Sequence, residues 1–120
     1  MHELSIAINI VEIATTEATN ANADSVLKIE LEIGKLAGVL PEALELAMTE
    51  AVKNSILENA EVKFNYIDGQ AVCQDCCHEF ETNDYFKPCP VCNSTNNFLV
   101  RGKELNIKSM DIEQSELTNY

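Results

Sequence analysis

The chain has 120 residues, 46% of them hydrophobic, enough for one compact core and one small lobe that needs outside help to hold its shape. Eight Lys and Arg stand against twenty Asp and Glu, a formal charge of -12. This argues against a nucleic-acid partner, because phosphate backbones are held by cationic side chains, and favours a basic protein surface or a cation.

No apolar run approaches the roughly 20 residues of a membrane span, and Glu3 stands where a secretory leader would be basic. The expectation is a cytoplasmic protein with no membrane partner. From Leu4 to about Asn20, polar Ser5, Asn9, Glu12, Thr16 and Asn20 alternate with an apolar side of Leu4, Ala7, Ile8, Val11, Ala14 and Ala18. That spacing predicts an amphipathic helix, ended by Asn22, Asp24 and Ser25. Leu27, Ile29, Leu31 and Ile33 then alternate with Lys28, Glu30 and Glu32, the pattern of a half-buried strand.

After a loop with Gly34 and Gly38, Pro41 suits the first turn of a second helix, where its missing N–H matters least. Leu44, Ala47, Met48, Ala51 and Val52 form its buried stripe, with Met48 as core filler. Val62, Phe64 and Tyr66 predict a second strand that stops at the turn signal Asp68-Gly69. Between Gly69 and Asn97 apolar residues are sparse, so this segment needs a metal to order it. Leu105 and Ile107 share one parity while Met110 and Ile112 take the other, implying a last strand with a bulge near Ser109 or a change of partner.

The order of elements predicts an α+β fold: two helices packed on a three-stranded sheet, with an inserted four-cysteine, zinc-ribbon-like lobe. Residues 1–68 plus 100–113 would form the body, 69–99 the zinc-binding domain, and 114–120 a frayed tail. The strands around Tyr66 and Leu105, leading into and out of the insert, are expected to pair as its stem.

Cys73 with Cys76, and Cys89 with Cys92, form two C-x2-C turns separated by twelve residues. Each turn presents two sulfurs on one side, and four thiolates can close a tetrahedral Zn2+ shell at about 2.3 Å per bond. The alternative, two disulfides, does not suit a reducing compartment. A closed four-sulfur shell leaves no coordination position for chemistry, so the zinc would be structural. Cys77 reads as a free thiol or a spare ligand, and His78 as an exposed turn residue or a replacement for a thiolate. There is no nucleophile elbow, phosphate loop or second metal motif.

The terminus offers a second donor set. A retained Met1 amine, the amide nitrogen of residue 2 and the His2 imidazole Nδ1 form fused five- and six-membered chelate rings, to which Glu3 adds an amide or a carboxylate. Methionine removal generally requires a small second residue, so Met1 should stay. Nearly planar, nitrogen-rich surroundings select Ni(II) or Cu(II), and intracellular copper is mostly thiophilic Cu(I), which favours nickel. The bland alternative is that His2 merely starts a helix whose first turn welcomes Glu3.

Met1-His2-Glu3, the strand Ile29-Glu30-Leu31-Glu32-Ile33-Gly34, and the pairs in Cys73-Gln74-Asp75-Cys76 and Cys89-Pro90-Val91-Cys92 together resemble the HypA/HybF family of hydrogenase maturation factors, over the chain to about Glu113. The resemblance implies a nickel metallochaperone and not an enzyme, binding Ni(II) at Met1, His2 and Glu3 and passing it to the large-subunit precursor of a [NiFe] hydrogenase. Its implied companion is the GTPase HypB and, in some organisms, members also serve urease, which would add urease accessory proteins as partners. Family members often carry a histidine after each cysteine pair, but Asn93 follows Cys92 here, leaving His78 alone for any exchange of zinc ligands. The competing readings are a zinc ribbon that binds protein or nucleic acid without nickel transfer, and a metal-dependent hydrolase built on His2 and carboxylates. Monomer and homodimer both stay open.

Overall fold

The computed structural model describes residues 2–114. Helix α1 spans Glu3–Asn20 and is followed by strand β1, Ala23–Gly34. The helix stops where Asn22 enters the left-handed region at φ 63, a conformation asparagine tolerates better than most residues at a helix end. Its buried stripe is Glu3, Ala7, Ile10, Val11, Ala14 and Ala18. Leu4 and Ile8, expected inside, are 51% and 45% exposed. The stripe runs one position aside because its head is a buried carboxylate, Glu3, and steps of three and four from there reach Ile10 rather than Ile8.

Helix α2 is Pro41–Ala51, with Leu44, Ala47 and Met48 buried, and strands β2, Glu61–Ile67, and β6, Leu105–Gln114, flank β1 in the order β2-β1-β6. The expected pairing of the strands around Tyr66 and Leu105 is therefore wrong: β1 lies between them. It is the most apolar strand, with Val26, Ile29, Leu31 and Ile33 all buried, and a central place with neighbours on both edges suits it. Glu30 reports the same order, lying 3.8 Å from Lys63 of β2 and accepting from the Ser109 hydroxyl of β6 at 3.3 Å.

Two parity changes shape this sheet. Val26 is buried and Leu27 is 52% exposed, so the inward face expected at Leu27 belongs to Val26, whose amide donates to Ile56 at 3.0 Å. In β6, Ile107, Met110 and Ile112 are half-buried while Lys108 and Ser109 are both exposed, which puts the shift of parity where the sequence implied it. The strand includes Gln114, whose side-chain amide donates to the Ala21 carbonyl at 2.7 Å; the rest of the segment read as a tail, 115–120, lies outside the described residues.

The remaining strands, β3 (Gln70–Cys73), β4 (Glu79–Glu81) and β5 (Asn97–Arg101), form a second antiparallel sheet in the order β4-β3-β5. At three to five residues each, they are too short to show a period in the sequence. The chain divides into two compact units, one from the described residues of Met1–Leu31, Val39–Phe64 and Asn106–Tyr120, the other from Glu32–Gly38 and Asn65–Leu105. The second unit thus takes in the loop after β1. Gly34, Lys35 and Leu36 donate their amides to Glu104, Ile67 and Gly102 at 2.7, 2.9 and 2.8 Å, and the Tyr85 hydroxyl donates to the Leu36 carbonyl at 2.5 Å. No helix among the described residues is long and apolar enough to cross a membrane.

Candidate metal centre

The four cysteines converge in the second unit. Cys73 closes β3 and Cys76 follows in the turn; Cys89 and Cys92 occupy a second turn before β5. Their sulfurs all lie within 4.8 Å of one another, with Cys73 to Cys92 at 3.5 Å and Cys76 to Cys89 at 3.6 Å. A tetrahedron with bonds of about 2.3 Å has edges of about 3.8 Å, so the group suits a four-coordinate ion and is too open for disulfides, whose S–S bond is about 2.05 Å. All five cysteines are free thiols.

The two turns repeat one backbone design. Cys73 receives the amide of Cys77 on its carbonyl at 2.9 Å and donates its own amide to His78; Cys89 does the same with Asn93 at 2.8 Å and with Ser94. Each first sulfur also accepts an amide two residues on, Asp75 to Cys73 and Val91 to Cys89, both at 3.4 Å. Such amides aim partial positive charge at sulfur and favour thiolate. Across the turns, the Ser94 hydroxyl donates to the Asp75 carboxylate, a link that the sequence did not flag.

Burial pushes the Cys89 thiol up, but the amides of Cys92 and Val91, with the neighbouring sulfurs, outweigh it and hold the group at about 7. Cys73 is likewise lowered, its burial outweighed by the amides of Cys76 and Asp75. The second sulfurs behave oppositely. The His78 amide pulls Cys76 down, yet burial and the surrounding sulfurs push it up to about 12; Cys92 is raised by the Cys73 sulfur and by burial, against the Ser94 amide. Four like charges cannot share so small a volume without a cation. With one, all four protons leave, and a divalent ion with two pairs of sulfurs makes a closed structural site.

Cys77 is exposed and stands outside the four-sulfur group, in the left-handed region at φ 65. His78 lies with its ring stacked on Phe80, centroids 6.2 Å apart and planes 12° from parallel. Neither belongs to the cluster of donors among the described residues.

His2 and Glu3 belong to the first unit; Met1, the remaining member of the expected nickel set, lies outside the described residues. His2 is the N-cap of α1, exposed, with no capping hydrogen bond from its side chain. Its carbonyl accepts the Ile6 amide and the Ser5 hydroxyl, both at 3.0 Å. The amide nitrogens of His2 and Glu3 sit in the first helical turn, where N–H groups have no carbonyl partner within the helix, so drawing on them costs the helix no ladder bond. Glu3 is only 7% exposed, and its carboxylate accepts the amide of Leu40, the N-cap of α2, at 3.1 Å. That partner was not visible in the sequence, although Pro41 marks the helix start next to it.

A two-helix α+β unit joined to a four-thiolate lobe defines a metal-handling protein. The family model described as "Hydrogenase/urease nickel incorporation, metallochaperone, hypA" matches residues 1–112. The chain is 46% identical over 114 residues to the hydrogenase maturation factor HypA of Parabacteroides distasonis, covering 95% of this chain and 99% of that one. It is 40% identical to the HypA of Chlorobium luteolum, covering 95% and 97%. In fold it is similar to the solution structure of the Ni metallochaperone HypA from Helicobacter pylori, with a TM-score of 0.71 at 20% identity, over 96% of this chain and all of that one. The chain belongs to the HypA family of nickel-incorporation metallochaperones that act in hydrogenase maturation. This family binds nickel, and the four-thiolate group suits a structural zinc ion.

Proposed function

We propose that this chain carries Ni(II) on its N-terminus and delivers it, in the cytoplasm, to the large-subunit precursor of a [NiFe] hydrogenase, with the GTPase HypB as companion. The cargo ligands are the Met1 amine, the amide nitrogen and imidazole of His2, and a further donor from Glu3. Zinc at Cys73, Cys76, Cys89 and Cys92 keeps the second unit in shape. The chain acts as carrier and adaptor and catalyses no reaction.

The observation that carries this reading is the state of His2: an exposed imidazole on a helix N-cap, beside two backbone nitrogens that the helix does not use. A carrier must bind its metal and also release it. Ligands at a chain end can leave one at a time, and protons compete for amine and imidazole at accessible pH. The acidic surface, at a formal charge of -12, favours approach of a cation, with screening over about 8 Å at cellular ionic strength.

The test compares nickel affinity in the native chain, in His2→Ala, and in a chain with one extra N-terminal residue. Nickel binding is expected to be lost in both altered forms while zinc content stays the same. Equal nickel affinity in all three would overturn the terminal site.

A further inference from the structure

A cavity of the second unit carries chemistry that neither the four-thiolate group nor the chain terminus uses. It measures about 280 Å³, and Ala71, Tyr85, Lys87, Asn97, Leu99 and Lys103 are among its lining residues. Ala71 and Leu99, partners across β3 and β5, give it an apolar wall. Lys87 and Lys103 give it positive charge. The chain has twenty acidic side chains, yet the ion pairs among the described residues join Lys35 to Asp68, Lys53 to Glu50 and Lys63 to Glu30, and neither cavity lysine takes part. Both rest on aromatic rings instead, Lys87 at 5.9 Å from the centre of Phe80 and Lys103 at 5.3 Å from that of Tyr85. The Tyr85 ring is in turn fixed by its hydroxyl on the Leu36 carbonyl.

Asn97 supplies a second, independent observation. Its Nδ2 donates to the carbonyls of Lys87 and Ser94 at 3.3 and 3.1 Å, which uses both hydrogens and settles which end of the amide is oxygen. The Oδ1 is the one buried side-chain polar atom among the described residues without a hydrogen-bond partner. An unpaired buried acceptor is costly and calls for a donor. The acids next to this cavity in the chain are engaged with backbone: Asp84 accepts the Phe86 amide and Glu104 accepts the Gly102 amide, both at 2.9 Å.

We propose that this cavity docks a short acidic segment of a partner protein, whose carboxylate meets Lys87 and Lys103, whose own backbone N–H donates to Asn97 Oδ1, and whose apolar neighbour covers Leu99. A peptide meets all three demands at once. A simple carboxylate such as acetate brings charge but no N–H, and a basic segment would be repelled by the two lysines. Ligand cavities commonly run from about 300 to 1,000 Å³, so this one takes one or two residues of a chain and not a folded domain. The protein as a whole is acidic, but screening over about 8 Å at cellular ionic strength lets two local cations outweigh distant negative charge. The docking site does not depend on the terminal nickel site.

The probe is the blocked peptide acetyl-Gly-Leu-Glu-Leu-Gly-amide, titrated into isotope-labelled, full-length, zinc-loaded protein and followed by amide chemical shifts. The largest shifts are expected at Lys87, Asn97, Leu99 and Lys103. Exchanging the probe's Glu for Gln should weaken binding about tenfold, the scale of one hydrogen bond to a charged group, and N-methylation of that Glu about fivefold, the scale of a neutral one. Lys87→Gln and Lys103→Gln should each weaken binding about fivefold; neither lysine holds an ion pair, and thermal unfolding confirms that both variants fold. Asp84→Asn keeps an acceptor for the Phe86 amide while removing a negative charge from the lining, and should tighten binding. No shift at these residues up to about 5 mM probe, or equal binding of the Glu and Gln peptides, would overturn the proposal. Acetate binding as tightly as the peptide would mark a simple anion site and overturn it too, and equal binding of the N-methylated probe would remove Asn97 from it.

Discussion

Cys77 and Asn93 occupy equivalent places in the two metal-binding turns, each directly after the second cysteine of its pair, with φ 65 and 61, and each donating its amide to the carbonyl of the first cysteine. A left-handed backbone is costly for most side chains and cheapest for glycine, with asparagine next. Cys77→Gly is therefore expected to stabilise the zinc-loaded lobe by about 1 kcal/mol, and Asn93→Gly by less. Thermal unfolding of the zinc-loaded variants checks the order. X-ray absorption of Cys77→Gly should still show four sulfurs on zinc; a lost sulfur would make Cys77 a ligand.

Zinc removal should unfold the second unit selectively. Its buried cluster is Ala71, Cys73, Phe80 and Cys89, with Leu99 packed against it, so two of its four buried members are metal-binding thiols. Without the ion, that cluster buries too little apolar surface to order three short strands. Chelation is expected to abolish amide protection at Val72 and Leu99 while Ile10 and Val11 of α1 stay protected. Protection of β3 in the metal-free protein would show that the sheet stands by itself. Zinc uptake at pH 8 should also release protons, since Cys76, raised to about 12, still holds one there.

Gly34 is a position that tolerates no side chain. A Cβ there would stand 2.0 Å from the Gly102 carbonyl oxygen and 2.6 Å from the Lys103 nitrogen, both backbone atoms that cannot swing aside. Gly34→Ala is expected to destabilise the protein by about 3 kcal/mol or more, through loss of the Gly34–Glu104 and Leu36–Gly102 hydrogen bonds. Urea unfolding of the zinc-loaded variant measures it, and a loss below about 1 kcal/mol would show that this loop can retreat.

Acid should weaken the tie between the two helices. The Leu40 amide holds the Glu3 carboxyl below its ordinary 4.5, against the opposing effect of burial. A depressed folded-state value means that ionised Glu3 contributes stability fully above 4.5, and that this is lost as pH falls through the folded value. The stability difference between the native chain and Glu3→Gln should therefore be constant from pH 6 to 7 and shrink below pH 4.5. A difference that grows in acid would contradict the direction of the shift.

Much of this arrangement is legible in the sequence. Spacing alone placed α1, β1, α2 and β2 and paired the cysteines, because helical and strand periods repeat over enough residues to be read. It misjudged faces where one residue decides parity, at Leu4, Ile8 and Leu27, since a period cannot show a local break or a carboxylate taking a core position. The three strands of the metal lobe were illegible because turns and sulfurs, rather than apolar repeats, organise them.

The sequence by itself singled out the donor atoms: four thiols in two short turns, which the fold brings together, and the terminal set of Met1, His2 and Glu3 on which the proposed nickel site rests. Ligand chemistry and short-range chain geometry suffice for that. Only the tertiary structure decided that β1 separates β2 from β6, that Glu32–Gly38 groups with the metal lobe, and that the Glu3 carboxylate is engaged with Leu40. Each of these depends on hydrogen bonds that a backbone N–H makes to a segment far away in the chain, and every residue but proline carries the same N–H, so side-chain order leaves such donors unmarked.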